Sequence, residues 1–101
     1  MRLSVNLTLK TMNKDLPKYR NQHQQALWYL YNWDKWFSLK DVINDSMFFK
    51  FQTRLSEIEA ELNNTIALRK WKKFLKGDVK CKCYEYKAID KNYIKEIYDK
   101  F

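Results

Sequence analysis

The chain has 101 residues, room for one domain, and carries 20 Lys and Arg against 12 Asp and Glu, a formal net charge of +8. Hydrophobic residues make up 46% and aromatic residues 17%, enough apolar bulk to fill a core, so the composition excludes a disordered chain. A single Gly and a single Pro exclude glycine-rich phosphate loops, dinucleotide fingerprints and collagen-like or linker-like segments.

Residues Arg2 to Thr11 alternate, with Leu3, Val5, Leu7 and Leu9 on one side and Ser4, Asn6, Thr8 and Lys10 on the other. That period of two predicts a strand, one that pairs with a distant strand or adds to a neighbouring molecule. Asn13 to Asn21 reads as a polar connector broken at Pro17. From Gln22 the apolar spacing becomes helical through Ala26, Leu27, Leu30, Tyr31 and Trp33, and Trp36 and Phe37 follow as a short extended piece. Ser38 and Asp41 have the spacing of a capping box, which predicts a short helix with Leu39, Val42 and Ile43 turned inward. Asn44-Asp45-Ser46 is expected to turn the chain and to cap the next helix.

That third helix has the most regular pattern. Phe48, Phe51, Leu55, Ile58 and Leu62 form one apolar stripe, while Phe49, Lys50, Thr53, Glu57 and Glu61 occupy the opposite face with Arg54 at its border. Asn63 and Asn64 suit its C-terminal end. Gly77-Asp78 predicts a two-residue hairpin turn between arms of about Thr65–Leu75 and Lys80–Ile89. In that register Lys76 faces Val79, Phe74 faces Cys81, Trp71 faces Tyr84 and Arg69 faces Tyr86. Asp90 then caps a short last helix in which Tyr93, Ile94, Ile97, Tyr98 and Phe101 cluster.

Helix, short extended piece, helix, tight turn, helix and basic hairpin is the order of a winged helix-turn-helix. The expected fold is therefore α+β, with three helices and a basic β-hairpin wing over residues 22–89. A strand and connector precede it over residues 1–21, and a short helix packs on it over residues 90–101. Arg69, Lys70, Lys72, Lys73, Lys76, Lys80 and Lys82 crowd onto the hairpin, opposed locally only by Asp78. Such crowding costs self-repulsion that a polyanion offsets by counterion release, so the wing is expected to track the backbone of double-stranded DNA. On the third helix Lys50 would donate to guanine, Thr53 would touch a thymine methyl and Phe49 would give apolar contact. Ser46 would present backbone N–H groups to a phosphate. Arg54 belongs to the same candidate surface, although its spacing from Glu57 also favours an ion pair within the protein.

The stretch Gln52-Thr53-Arg54-Leu55-Ser56-Glu57-Ile58-Glu59, followed by a basic hairpin ending in Tyr84-Glu85-Tyr86, resembles small winged-helix proteins of phages and mobile elements. The resemblance spans about Gln22 to Ile89 and departs from that pattern in having Asn63-Asn64 where Gly is usual. It implies a DNA-binding fold and points to a viral origin, without naming a job; helix order and wing charge together make a phage-type transcriptional regulator or replication accessory the leading expectation. An alternative of a different class is a phage-encoded inhibitor of a host nucleic-acid enzyme, like an anti-CRISPR protein, acting by protein–protein contact.

The aromatic string Trp28, Tyr29, Tyr31, Trp33, Trp36 and Phe37 is expected to be mostly core, with a stacking platform for single strands or an anchor at a membrane interface as the other readings. His23 is the lone His and reads as surface polar. With it, Cys81 and Cys83 are too few ligands for structural zinc and read as reduced fillers. No catalytic set, metal site or cofactor is expected. No apolar run reaches about 18 residues, so no membrane partner is expected and the location is expected to be cytoplasmic. A homodimer would use the leading strand or the cluster of Tyr93, Ile97, Tyr98 and Phe101.

Overall fold

A computed structural model of the chain describes residues 16–101, so the strand expected over Arg2–Thr11 lies outside the described residues. The rest is an α+β fold with four helices and one antiparallel three-stranded sheet. In chain order these are α1 (Gln22–Asn32), β1 (Phe37–Ser38), α2 (Leu39–Ser46), α3 (Phe51–Leu62), β2 (Ala67–Lys76), β3 (Val79–Ala88) and α4 (Lys91–Ile97), closed by a 3₁₀ turn over Tyr98–Lys100. The sheet order is β1-β3-β2.

The hairpin adopts the register that the Gly77-Asp78 turn dictates, with Lys76 opposite Val79, Phe74 opposite Cys81, Trp71 opposite Tyr84 and Arg69 opposite Tyr86. Gly77 supplies the positive φ of 64° that a side chain would resist, which fixes where the two arms reverse. Each arm gains a regular ladder of ten residues.

α2 opens on the expected capping box: Ser38 accepts from the Asp41 amide, and the Asp41 carboxylate accepts from the Ser38 amide. Ser38→Ala should cost about 1 kcal/mol of unfolding free energy in a urea melt. A change under about 0.3 kcal/mol would mean that packing alone starts this helix.

Two boundaries differ from the expectation. Asn44-Asp45-Ser46 is not a turn but the last turn of α2, and the chain reverses instead through Met47, which takes a left-handed φ of 59°. Tertiary contacts override the local preference of these residues for turns. The buried Tyr29 hydroxyl donates to the Asp45 carboxylate at 2.5 Å and lies 2.6 Å from the Ser46 hydroxyl, anchoring both residues on α1. In consequence α3 starts at Phe51, not Phe48, and Phe49 and Lys50 belong to the connecting turn rather than to the helix.

The core gathers Leu27 and Leu30 of α1, Phe37 of β1, Val42 of α2, Phe51, Leu55 and Ile58 of α3, Tyr86 of β3 and Ile94 of α4. Phe48 is buried beside them although it is not helical, and Leu62 is half-buried at the end of the stripe. Of the aromatic string, Tyr29 and Phe37 are buried and Trp28, Tyr31 and Trp33 pack against the core. Tyr29, Trp33, Phe37 and Phe51 form a chain of edge-to-face contacts with centroids 4.8–5.6 Å apart.

The ends of the described segment are clasped together. Gln24, buried on α1, donates to the Tyr98 carbonyl and accepts from the Arg20 amide, while the Tyr98 hydroxyl donates to the Pro17 carbonyl. Ile97 and Tyr98 are therefore spent inside the domain and do not form the dimer surface that the sequence suggested.

Burial also holds tyrosine phenols neutral. Desolvation and then the hydrogen bond to Asp45 push Tyr29 up to about 12; burial pushes Tyr98 up to about 12 and raises Tyr86 as well. Because the folded values exceed the unfolded value of about 10, this contribution to stability is complete below pH 10 and is lost as pH rises toward 12. A spectrophotometric titration should show Tyr29 and Tyr98 ionising only at about pH 12, or on unfolding, and Tyr86 later than an exposed phenol. Ionisation of Tyr29 and Tyr98 near pH 10 in a still-folded chain would contradict the packing.

Candidate nucleic-acid interface

Residues 67–88 hold eight cationic side chains against Asp78 and Glu85, so the hairpin carries six of the chain's eight net positive charges. Ala67 and Tyr86 root it in the core. From Lys70 to Lys80 every residue is exposed, so the outer part of the hairpin, roughly 20 Å long, rises clear of the domain.

The cations divide by what they touch. Arg69 is held at the root: its guanidinium meets Glu59 through two parallel hydrogen bonds of 2.5 and 3.1 Å and lies over the Tyr86 ring. Glu59 also accepts from the Ile66 amide, so this pair fixes how α3 meets β2. Lys70 and Lys72 each come within 3.7 Å of Glu85, and Lys70 lies over the Trp36 ring. Lys82 lies over the Trp71 ring at 4.7 Å. Lys73, Lys76 and Lys80 are exposed and make no ion pair among the described residues. Lys73 stands directly opposite Lys82 in the ladder, a like-charge pair that raises the free energy of the unbound hairpin.

The α3 side is different. Thr53 is exposed in the first turn, and Phe49 and Lys50 are exposed just before it. Arg54 is committed within the protein: its Nε donates to Gln22 and its Nη1 to Glu57 at 2.8 Å. His23 also meets Glu57 at 2.8 Å, and these two hydrogen bonds, Arg54 first, hold the Glu57 carboxyl below the usual carboxylate range. Ser46 stands at the C-terminal end of α2, not at the N-terminus of α3, with its hydroxyl engaged by Gln25 and Tyr29. It therefore presents no helix N-terminus to an anion.

One feature of this surface was missed in the sequence. Trp71, Phe74, Leu75 and Val79 are all exposed on the hairpin between its lysines, with Leu75 at 68% and Trp71 at 52%. The Trp71 and Tyr84 rings are stacked, 3.8 Å between centroids and 24° between planes. Their pairing was legible from the turn; the openness of the indole was not, because it depends on how far the hairpin outreaches the core. Cys81 and Cys83 are free and half-buried. Among the described residues no group of His, Cys, Asp and Glu could hold a metal ion, and no helix is long and apolar enough to cross a membrane. No family model, curated protein or solved structure matches this chain.

Proposed function

We propose that this protein is a winged helix-turn-helix DNA-binding protein that grips the phosphate backbone of a duplex with its basic hairpin. The observation that carries the reading is the set of cations Lys73, Lys76 and Lys80, unpaired among the described residues, with Lys73 forced against Lys82, on a hairpin that outreaches the core. A polyanion relieves that repulsion and releases counterions as it does so. Element order and sheet order support the fold side of the reading: α2, a four-residue turn and α3 precede the hairpin, and β1 pairs with its second strand.

The wing supplies affinity and α3 supplies little charge. Lys50 and Thr53 are exposed, which supports base contact by them, but Arg54 is tied to Glu57, and Glu57 and Glu61 repel phosphates on that face. Binding is thus dominated by the phosphate backbone, with weak sequence preference. A transcriptional regulator or replication accessory, the roles that helix order and wing charge suggest, fits such a binder.

Anisotropy titration with a labelled mixed-sequence duplex tests the reading. Log K should fall linearly with log salt, and an absence of binding near 50 mM salt would overturn it. The exposed Phe74, Leu75 and Val79 favour one other reading, an inhibitor that docks this hairpin on a host nucleic-acid enzyme. A stable complex with such an enzyme, formed by a chain that does not hold free DNA, would select that reading.

A further inference from the structure

We infer that the cleft at the foot of the hairpin takes an unpaired nucleobase of single-stranded nucleic acid, stacked on Trp71. The inference rests on the phosphate-gripping reading above and adds to it a second recognition element, one that duplex DNA cannot satisfy.

The cleft has a volume of about 570 Å³ and opens where β1 stops at Ser38 while β3 runs on beyond it. One wall is the hairpin, with Trp71, Tyr84 and Lys82; the other is Leu39 and Asp41 of α2 and Gln52 of α3. Tyr84 backs the indole at 3.8 Å and fixes its plane, yet Trp71 remains half-exposed. A flat, apolar-faced and rigidly held ring beside lysines is the surface on which single-stranded bases stack, and it tolerates any base because each has a π-face. Lys82 covers the ring only through a flexible stem, so it can swing from the indole to the phosphate of the base that replaces it.

The stacking ring and its neighbouring acceptors suit the base of a nucleotide, and the exposed lysines suit its backbone. Asp41 and Glu85 line the cleft, Asp41 hydrogen-bonded to Ser38 and Glu85 approached by Lys70 and Lys72. Lys40, Lys72 and Lys82 share the lining, and Glu85 is engaged by lysines on the face of β3 opposite Trp71, which leaves the Asp41 carboxylate and the Gln52 amide oxygen to accept from the ring and exocyclic N–H groups of a base. The unpaired lysines stand outside, farther along the hairpin. Base inward and backbone outward is the orientation of a single strand laid across the wing, whereas a duplex keeps its bases stacked on one another.

The test compares a labelled mixed-sequence single strand of roughly 20 nucleotides, long enough for one site, with the duplex of the same length at the same salt, using the full chain. Trp71→Ala should weaken single-strand binding by about 5- to 150-fold and duplex binding by less than about 2-fold. Trp71→Tyr should restore single-strand binding to within a few-fold of wild type. Should Trp71→Ala not fold, as judged by circular dichroism, Trp71→Leu keeps apolar bulk without a stacking face and should show the same selective loss. Equal losses on both ligands, or none on the single strand, would overturn the stacking proposal and leave the phosphate reading intact. A wild-type chain that binds neither ligand would overturn both.

Discussion

Replacing Lys73, Lys76 and Lys80 together by Gln should flatten the salt dependence of duplex binding by about 2.7 in the slope of log K against log salt, about 0.9 for each lost phosphate contact. If the loss is pure counterion release, affinity at 0.1 M salt falls by about 500-fold, and the deficit shrinks toward nothing near 1 M. These three lysines are the informative choice because they form no ion pair among the described residues. Removing them breaks no ion pair among the described residues, and melting temperature should hold or rise slightly as repulsion is relieved. Arg69→Gln is the contrast. It removes the bidentate partner of Glu59, so its effect should appear in the melt, with little change in the salt slope. An unchanged slope in the triple variant would remove the hairpin from DNA binding.

The largest expected effect on stability is at Phe51. Its ring is fully buried and contacts Phe37 of β1 at 5.6 Å, Tyr86 of β3 at 5.2 Å and Phe48 of the α2–α3 turn at 6.2 Å. It is the point where α3, the sheet and the turn share one packing contact. Phe51→Ala should therefore cost about 3–5 kcal/mol, counting both the lost transfer free energy and the cavity. For a chain of this size that is a fall in melting temperature of about 15 °C or more. Phe51→Leu should cost far less, because it keeps most of the volume. A loss below about 1 kcal/mol for the alanine variant, read in urea melts, would mean that α3 does not pack on the sheet as described. Because Phe51 starts α3 while Tyr86 roots the hairpin, the same variant should also blur the geometry between helix and wing.

Local chemistry alone determines much of this protein. Gly77 can hold a positive φ, and the ladder then follows two residues at a time, so the register from Lys76–Val79 to Arg69–Tyr86 was fixed by one turn. Ser38 and Asp41 announced the start of α2, and the spacing of Phe51, Leu55 and Ile58 announced the buried face of α3. The crowding of lysines on one hairpin is a property of the sequence alone.

Tertiary structure decided what those local signals left open. Asn44, Asp45 and Ser46 have turn chemistry, yet the Tyr29 hydroxyl from α1 holds Asp45 and Ser46 in a helix, a contact across some sixteen residues that no local window contains. The same displacement took Ser46 away from the start of α3 and moved Phe49 and Lys50 off the helix. Arg69 looked like a free cation and became an internal tie, because Glu59 comes within reach only when α3 meets β2; the Arg54–Glu57 tie was legible in its three-residue spacing, and only the added partner Gln22 needed α1. Trp71 is open for a related reason: a residue's exposure depends on where its strand leaves the core, and only the packed domain defines that edge.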